Sequence, residues 1–332
     1  MYSFSERIGV IGYGSWATAL IKILTHNQHA VLRNVPTQED IEFIKTHHHN
    51  PRYLSDVELN LNLIELTPDL KDLEKHSSII LLAHPSVFLH NTIKHFNFKN
   101  KYIVSAIKGI VPEYLLIVGD YLNQIHKVEY THIGVLTGPC HAEEVALERL
   151  SYLTFASPNS EFVEFFSHKL QCDYIRITPS DDIYGTEYAA VLKNIMAIAA
   201  GICHALNYGD NFQAVLISNA IQEIKRFVDT VHPIQRDIKD SAYLGDLLVT
   251  AYSQFSRNRT FGVMIGKGYS VKQAQLEMNM IAEGYYALQC IYEINKKYKV
   301  EMPITHTVYQ IIFGKPKQNP ARLIKELTSY LK

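Results

Sequence analysis

Lys193 and Asn194 stand inside Ala189-Ala-Val-Leu-Lys-Asn-Ile-Met-Ala-Ile-Ala-Ala-Gly201, a stretch that is apolar on nearly every side. A helix of that composition is normally buried, and lysine is almost never fully buried without a partner or a chemical role. Desolvation and nearby cations lower an amine's pKa, and an amine so tuned can exchange a proton at neutral pH. The plainer reading is a lysine that snorkels to the domain edge with its stem packed. Residue types alone weigh the two readings about equally.

Three further groups could work with such a lysine. Lys108 precedes Gly109 at the end of an apolar run, Tyr102–Ala106, where a bound anion could be met; alone, it reads as a solvated loop lysine. Gly245-Asp246-Leu-Leu-Val-Thr250 is followed closely by Ser256-Arg257-Asn258-Arg259. One carboxylate could orient a lysine while hydroxyls and a basic loop clamp a phosphate, whose oxygens suit arginine forks. The alternative is a helix start followed by a solvated loop. Gly138-Pro139-Cys140-His141-Ala142-Glu143-Glu144 turns the chain and opens a helix, whose first turn suits the two acids. The backbone N–H groups of that turn could hold a substrate or a nicotinamide.

These groups need a scaffold, and the N-terminus announces one. The apolar run Ile8–Ile11 meets Gly12-Tyr-Gly14-Ser15-Trp16-Ala17 and then a helical pattern. Strand, glycine turn and helix in that order form the dinucleotide fingerprint. Gly12 permits the turn, Gly14 lets backbone approach a pyrophosphate, and free N–H groups at the helix start receive the anion. Further strands are expected at Ala30–Leu32, Leu63–Leu66, Ser78–Ala83, Tyr102–Ala106 and Ile133–Leu136, with helices between most of them. Two more, Ser151–Ala156 and Tyr174–Ile177, extend the sheet. This rhythm predicts a Rossmann-like, doubly wound, mainly parallel α/β domain over 1–182. From Tyr184 on the pattern is helical, which predicts an all-α domain over 183–332. Asp210-Asn211 is expected to cap its second helix.

The chain has 332 residues, 47% hydrophobic and 20% charged, with a net charge near −1. That balance offers no global attraction to nucleic acid or an anionic membrane, so an anionic substrate must be met by a local cluster of Lys and Arg. Four scattered cysteines without C-x-x-C spacing imply neither a zinc site nor a disulfide framework. His47-His48-His49 are consecutive, so their rings diverge; they read as a solvated loop, and no metal is expected. Residues 1–24 lack a cleavable signal layout, and no run reaches the ~18 apolar residues of a membrane span. The expected setting is the cytoplasm.

Taken together, these blocks resemble the NAD(P)-dependent glycerol-3-phosphate dehydrogenases, closest to the bacterial type. The likeness runs through Gly12-x-Gly14-Ser-Trp-Ala-Thr-Ala19, Asn50-Pro-Arg-Tyr-Leu54, Lys108-Gly109-Ile110 and Gly138-Pro139 with Ala142-Glu-Glu-Val-Ala146. It continues in Leu192-Lys-Asn194, Gly209-Asp-Asn211, Leu244-Gly-Asp246, Ser256-Arg-Asn-Arg259 and Glu301-Met-Pro-Ile-Thr305. The resemblance implies reversible hydride transfer between NAD(P)H and dihydroxyacetone phosphate, giving sn-glycerol 3-phosphate for phospholipid synthesis. It implies Lys193, Lys108 and Asp246 as the catalytic set. Gly12, Gly14, Ser15, Trp16, Arg33, Phe88, Lys108, Ala142, Arg257, Ile281 and Glu283 would meet the cofactor, NADP or NAD. Lys108, Gly138, Cys140, Lys193, Asn194, Asp246, Thr250, Ser256, Arg257 and Asn258 would meet the substrate. The partner is thus a small molecule, with neither nucleic acid nor membrane insertion, and a homodimer is admitted.

Two departures are visible. Cys140 stands where many relatives carry Ser or Thr, and a thiol is the poorer hydrogen-bond partner. Val31-Leu32-Arg33-Asn34 ends without an acid for a ribose 2′-hydroxyl, and Arg33 could instead accommodate a 2′-phosphate or stack on adenine, which tilts the expectation toward NADP. The rivals are another two-domain β-hydroxyacid dehydrogenase or ketopantoate-type reductase, and a catalytically silent nucleotide-binding scaffold. Lys108 with Arg257-Asn258 favours phosphate over carboxylate; intact Lys108, Lys193 and Asp246 speak against silence.

Overall fold

The computed structural model describes residues 7–278, 281–316 and 318–332. Its strands are β1 (Ile8–Ile11), β2 (Val31–Asn34), β3 (Ile64–Thr67), β4 (Ile79–Leu82), β5 (Tyr102–Ser105), β6 (Ile110–Val111), β7 (Leu116–Ile117), β8 (Ile133–Thr137), β9 (Ser151–Ala156) and β10 (Ile175–Ser180). Helices α1 (Ser15–His26), α2 (Gln38–His47), α3 (Leu70–His76), α4 (Ser86–Ile93), α5 (Val118–Gln124), α6 (Ala142–Ala146) and α7 (Ser160–Leu170) are interspersed. The rest is helical: α8 (Ile183–Ala205), α9 (Gly209–Val231), α10 (Asp246–Tyr252), α11 (Arg257–Gly266), α12 (Val271–Glu277), α13 (Glu283–Tyr298), α14 (Pro303–Phe313) and α15 (Pro320–Leu327).

The chain forms two compact units. One runs to Ile107 and resumes over Val118–Ile183; the other takes Lys108–Ile117 and Tyr184–Lys332. The sequence assigns 108–117 to the first unit, whereas its hairpin, β6 paired antiparallel with β7, packs with the helices of the second. Strands of two residues each leave no alternation to read, which is why the hairpin has no signature in the sequence.

In the first unit the sheet order is β10-β9-β8-β5-β4-β1-β2-β3. β1 and β4 sit side by side in the middle and are apolar and buried at every position, as strands covered on both faces must be. The order reverses between them, and α1 leaves the carboxyl end of β1 there, the usual ligand position of such sheets. β9 and β10 extend the sheet as expected, yet β9 runs antiparallel to β8 while β10 is parallel to β9.

The second unit is organised around α8. From Tyr188 to Cys203 this helix is buried, packed with Phe227 of α9, Phe261 of α11, Leu288 of α13 and Val308 of α14. It is long and apolar enough to cross a membrane, but 89% of its most apolar window is buried within the protein. α8 and α11 meet backbone to backbone. A Cβ on Gly201 would lie 2.1 Å from the Arg259 carbonyl oxygen, and one on Gly262 would lie 2.1 Å from that of Ile198. Tyr292 stacks on Tyr309 at 3.6 Å and Tyr285 packs on Phe261 and Phe313, so these tyrosines are packing residues.

Three local expectations are corrected. Asp210 and Asn211 lie inside the first turn of α9, which starts at Gly209 with Tyr208 at its cap position. His47 ends α2 and His48 closes it in the left-handed conformation, so the triplet is a helix terminus and not a plain loop. The basic stretch Arg257–Arg259 is the first turn of α11, with the Ser256 hydroxyl accepting from the Arg259 N–H at 3.3 Å.

Candidate functional site

The glycine turn in the first unit fits a dinucleotide phosphate. α1 begins with Gly14 at its cap position, no side chain caps it, and its first turn holds no acid, so its N-terminus keeps its positive end. A Cβ on Gly12 would lie 2.3 Å from the Ala83 carbonyl oxygen and 3.0 Å from the Ala17 Cβ, whereas one on Gly14 would meet nothing within 4 Å. Gly12 therefore serves the packing of strand and helix, and Gly14 keeps a cradle open. Gly14 has φ −72° and ψ −178°, which alanine adopts without strain. Gly14→Ala should consequently leave stability unchanged or raise it by about 0.5 kcal/mol while weakening nucleotide binding at least about tenfold; Gly12→Ala should instead lower the melting temperature. Thermal melts paired with NADH titrations check both.

Other first-unit candidates fall as follows. Ser15 is buried and Trp16 half-buried in the first turn of α1. Phe88 in α4 is 48% exposed, with the His84 ring against its edge at 6.1 Å. Ala142 opens α6 and is buried. Gly138 has φ +117°, and a Cβ there would press the Tyr152 carbonyl oxygen at 2.8 Å. The Cys140 N–H, which the sequence offers to a substrate, bonds the Gly138 carbonyl at 2.9 Å, and its thiol donates to the Tyr152 carbonyl at 3.4 Å. This turn spends that backbone donor on itself.

Arg33 lies inside the protein, against the glycine turn. Its side chain is fully buried, with Nη2 donating to the Tyr13 carbonyl at 3.2 Å and to the Thr18 hydroxyl at 2.9 Å. The guanidinium lies over the Tyr13 ring, 5.3 Å from its centre, and burial lowers its pKa to about 10. Its Nε and Nη1 have no hydrogen-bond partner among the described residues. Asn50, to which the sequence alone attaches no role, helps hold the same turn. Its Nδ2 donates to the same Tyr13 carbonyl at 2.9 Å, and its Oδ1 accepts from the N–H groups of Arg52 and Tyr53. The signal is an asparagine before Pro51-Arg-Tyr, a turn-forming side chain that bonds backbone nearby.

The second unit gathers the lysine cluster. The Lys193 side chain is 7% exposed and Asp246 1%. Lys193 Nζ donates to Asp246 Oδ1 at 2.6 Å and to the Thr250 hydroxyl at 2.8 Å. Lys108 Nζ donates to the other carboxylate oxygen, Oδ2, at 2.8 Å. Asp246 opens α10 one turn before Thr250, so both face the same side of the helix, and the Thr250 hydroxyl donates in turn to the Asp246 carbonyl at 2.6 Å. Burial lowers the Lys193 pKa most, Asp246 pulls it back up and Lys108 lowers it again, so the amine sits at about 7 instead of 10.5. Burial pushes the Asp246 carboxyl up, but the two ammonium groups more than offset this and hold it below the usual carboxylate value.

A chain of amides fixes this cluster to its surroundings. Asn194 Nδ2 donates to the Lys108 carbonyl, Asn258 Nδ2 to Asn194 Oδ1, and the Gly284 N–H to Asn258 Oδ1, at 3.0, 3.0 and 2.9 Å. Asn258 and Ser256 are therefore buried parts of the frame. Arg257, the first residue of α11, is half-buried, as are Ile281 and Glu283 at the start of α13. Lys108, Lys193, Asn194, Asp246, Thr250, Ser256, Arg257, Asn258, Ile281 and Glu283 all belong to the second unit, and the glycine turn belongs to the first.

The chain is similar to known proteins over most of its length. Residues 7–163 match the family described as the NAD-dependent glycerol-3-phosphate dehydrogenase N-terminus, and residues 182–324 match its C-terminus. The chain is 35% identical over 311 residues to a glycerol-3-phosphate dehydrogenase (NAD(P)+) of Macrococcus caseolyticus, covering 92% of this chain and 93% of that protein. It is 33% identical to one of Staphylococcus carnosus, over 93% and 94% of the two chains. The crystal structure of glycerol-3-phosphate dehydrogenase from Coxiella burnetii superposes with a TM-score of 0.91 at 28% identity, covering 98% of this chain and 99% of that one.

Proposed function

This chain belongs to the NAD-dependent glycerol-3-phosphate dehydrogenase family, and from that premise we propose that Lys193 is the proton-transferring group of its reaction. The chain is an oxidoreductase that uses NAD or NADP, interconverting sn-glycerol 3-phosphate and dihydroxyacetone phosphate by hydride transfer at C2. The observation that carries the assignment of Lys193 is its hydrogen bonding. A neutral amine has two N–H groups and one lone pair. Here the two donors go to Asp246 and Thr250, and the remaining hydrogen-bonding neighbour of Nζ is Lys108, whose ammonium favours the neutral amine with its lone pair available. A pKa near 7 makes that form abundant at neutral pH.

The nicotinamide, when bound, accepts or returns the hydride. Gly12, Gly14, Ser15 and Trp16 would hold the dinucleotide in the first unit, with the start of α1 facing its pyrophosphate. In the oxidation direction Lys193 takes the proton of the C2 hydroxyl as the hydride departs. In reduction its ammonium form places a third N–H where the lone pair was and returns that proton to the forming alkoxide. Asp246 orients Lys193 and offsets its charge when protonated; Thr250 fixes the amine from the other side. Thr250 is thereby a positioning residue, not a phosphate ligand. Lys108 shares Asp246, keeps Lys193 from being held fully protonated, and supplies a cation for substrate oxygens.

For the phosphate end we propose Arg257, set by the capped start of α11 and backed by Asn258. Arg257→Ala should raise the KM for dihydroxyacetone phosphate by about 30-fold and lower kcat less than about fivefold, because a fork to a remote phosphate contributes mainly to binding. Initial rates of NAD(P)H oxidation against substrate concentration check this; a change confined to kcat would refute the assignment. The proposed setting is the cytoplasm, where nicotinamide dinucleotides are held and the four free cysteines stay reduced. The proposed cellular role is supply of glycerol 3-phosphate for phospholipid synthesis.

A further inference from the structure

A second cluster of titratable groups lies in the first unit, away from the lysines. Tyr121 of α5 is fully buried, and its hydroxyl stands between two half-buried imidazoles. Nδ1 of His90, on α4, lies 2.9 Å from the Tyr121 oxygen, and Nε2 of His126, just past α5, lies 3.1 Å from it. Both rings also meet the Tyr121 ring edge-on, and Phe98 packs on His126 from the loop before β5. A phenol has one hydrogen to donate and lone pairs to accept with. With both imidazoles neutral, the phenol donates to one ring and accepts the N–H of the other. One added proton fits the same pattern, because a charged ring donates to the phenol and the phenol to the neutral ring. A second proton turns both rings into donors, sets two like charges about one oxygen, and leaves the phenol hydrogen with neither ring to bond.

Charged groups on the neighbouring elements do not relieve that crowding. Glu74 of α3 receives the Asn97 N–H, and Asp120 of α5 receives the Tyr130 hydroxyl. Lys101 donates to the carbonyls of Glu74 and Ser77, and Lys127 to that of Gln124. Lys94, His95 and Lys99 can add only positive charge. At the other end of α4, His84 Nδ1 sits 3.1 Å from the Pro85 carbonyl. Among the described residues His126 makes no ion pair with an acid, and burial, then the charge of His90, lowers its pKa.

We propose that His90, Tyr121 and His126 form a proton-sensitive joint that holds α4 against α5 at neutral pH and releases it in acid, loosening the first unit's grip on the nucleotide. A helix as short as α4 persists only when packed, and its buried residues are Ser86, Leu89 and Ile93. It starts directly after β4, which lies beside β1 where the sheet order reverses, so its first turn borders the ligand crevice. The joint stands on the geometry of its three side chains; its effect on binding rests on the dinucleotide reading above. The direction with pH follows from His126. The folded chain takes up its proton less readily than the unfolded one, so stability stays level above about pH 7 and is lost as pH falls below about 6.5.

Two measurements on the full chain test this, each comparing the parent with His126→Gln, which removes one chargeable ring and keeps a hydrogen-bonding side chain. In hydrogen exchange corrected for intrinsic rates, the α4 amides of the parent should lose about tenfold in protection between about pH 7.5 and about pH 5.5. The variant should lose less than about twofold. NADH titrations read from Trp16, the single tryptophan of the chain, should show affinity falling about fivefold over that interval in the parent and holding level in the variant. The comparison cancels His84 and every other group that titrates alike in both proteins. Equal acid responses of parent and variant in hydrogen exchange would overturn the joint. Loss of protection without loss of affinity would overturn its link to the nucleotide. Absence of NADH binding at either pH, with the exchange difference intact, would fell the dinucleotide reading and leave the joint standing. If His126→Gln does not fold, His90→Gln removes the other ring and is expected to give the same result.

Discussion

Replacement of Lys193 by alanine is expected to lower kcat/KM by about three orders of magnitude while leaving the dissociation constant for NADH within about twofold. The size follows from proton transfer itself, since a positioned base or acid contributes roughly 10²–10⁴-fold. Asp246 is held ionised by Lys108 and already receives that ammonium group, and the Thr250 hydroxyl is committed to the Asp246 carbonyl. The pH dependence gives an independent signature. With the amine at about 7, oxidation of glycerol 3-phosphate needs its neutral form, so kcat/KM should climb about tenfold per pH unit below 7 and level off above. Reduction needs the ammonium form and should fall above the same point. A variant with turnover within tenfold of the parent, or a parent profile flat from about pH 5 to 9, would remove Lys193 from the mechanism.

Asp246→Asn should be nearly as damaging to rate and far more damaging to the fold. The substitution keeps the shape and removes the one charge that faces two lysines, in a place where water cannot compensate. Breaking a buried pair by taking one partner costs about 3–5 kcal/mol. For a chain of this size that corresponds to a melting temperature lower by about 4–7 °C. Without the carboxylate that pulls it upward, the Lys193 pKa should fall further below 7, so the acid limb of the oxidation profile moves to lower pH as kcat drops. A lower kcat with an unmoved limb would assign Asp246 to substrate contact instead of to Lys193. Melting curves and pH profiles separate the two effects.

The parts of this fold that repeat a pattern are legible from residues alone. The strand–glycine–helix start, the buried β1 and β4, and the apolar α8 each carry a period or a composition that only one structure satisfies. Lys193 is legible for the same reason: a charge amid Ala, Ile and Val contradicts its surroundings, and the contradiction needs a partner such as Asp246. What escapes reading depends on direction and not on type. Arg33 sits at the right strand end for a phosphate, but alternation along four residues does not say whether its guanidinium turns to Tyr13 or to solvent. The antiparallel run of β9 beside β8 likewise leaves no mark on periodicity. Ser256-Arg-Asn-Arg259 reads as a loop by polarity, while the serine cap that starts α11 is the better signal. Thr250 and Asn258, assigned to substrate by likeness, also bond Lys193 and Asn194, through contacts no linear pattern encodes.

The excursion of Lys108–Ile117 out of the first unit and back sets a rule for anyone recombining this gene with those of its relatives. A single crossover at 183/184 would deliver the second half stripped of Lys108, and of Ile110 and Ile117, which lie buried in its core. A working chimera takes three junctions, with the short hairpin travelling alongside the C-terminal sequence. Hybrids joined at one seam should therefore lose stability, because the hairpin of one parent must fit the helical core of the other.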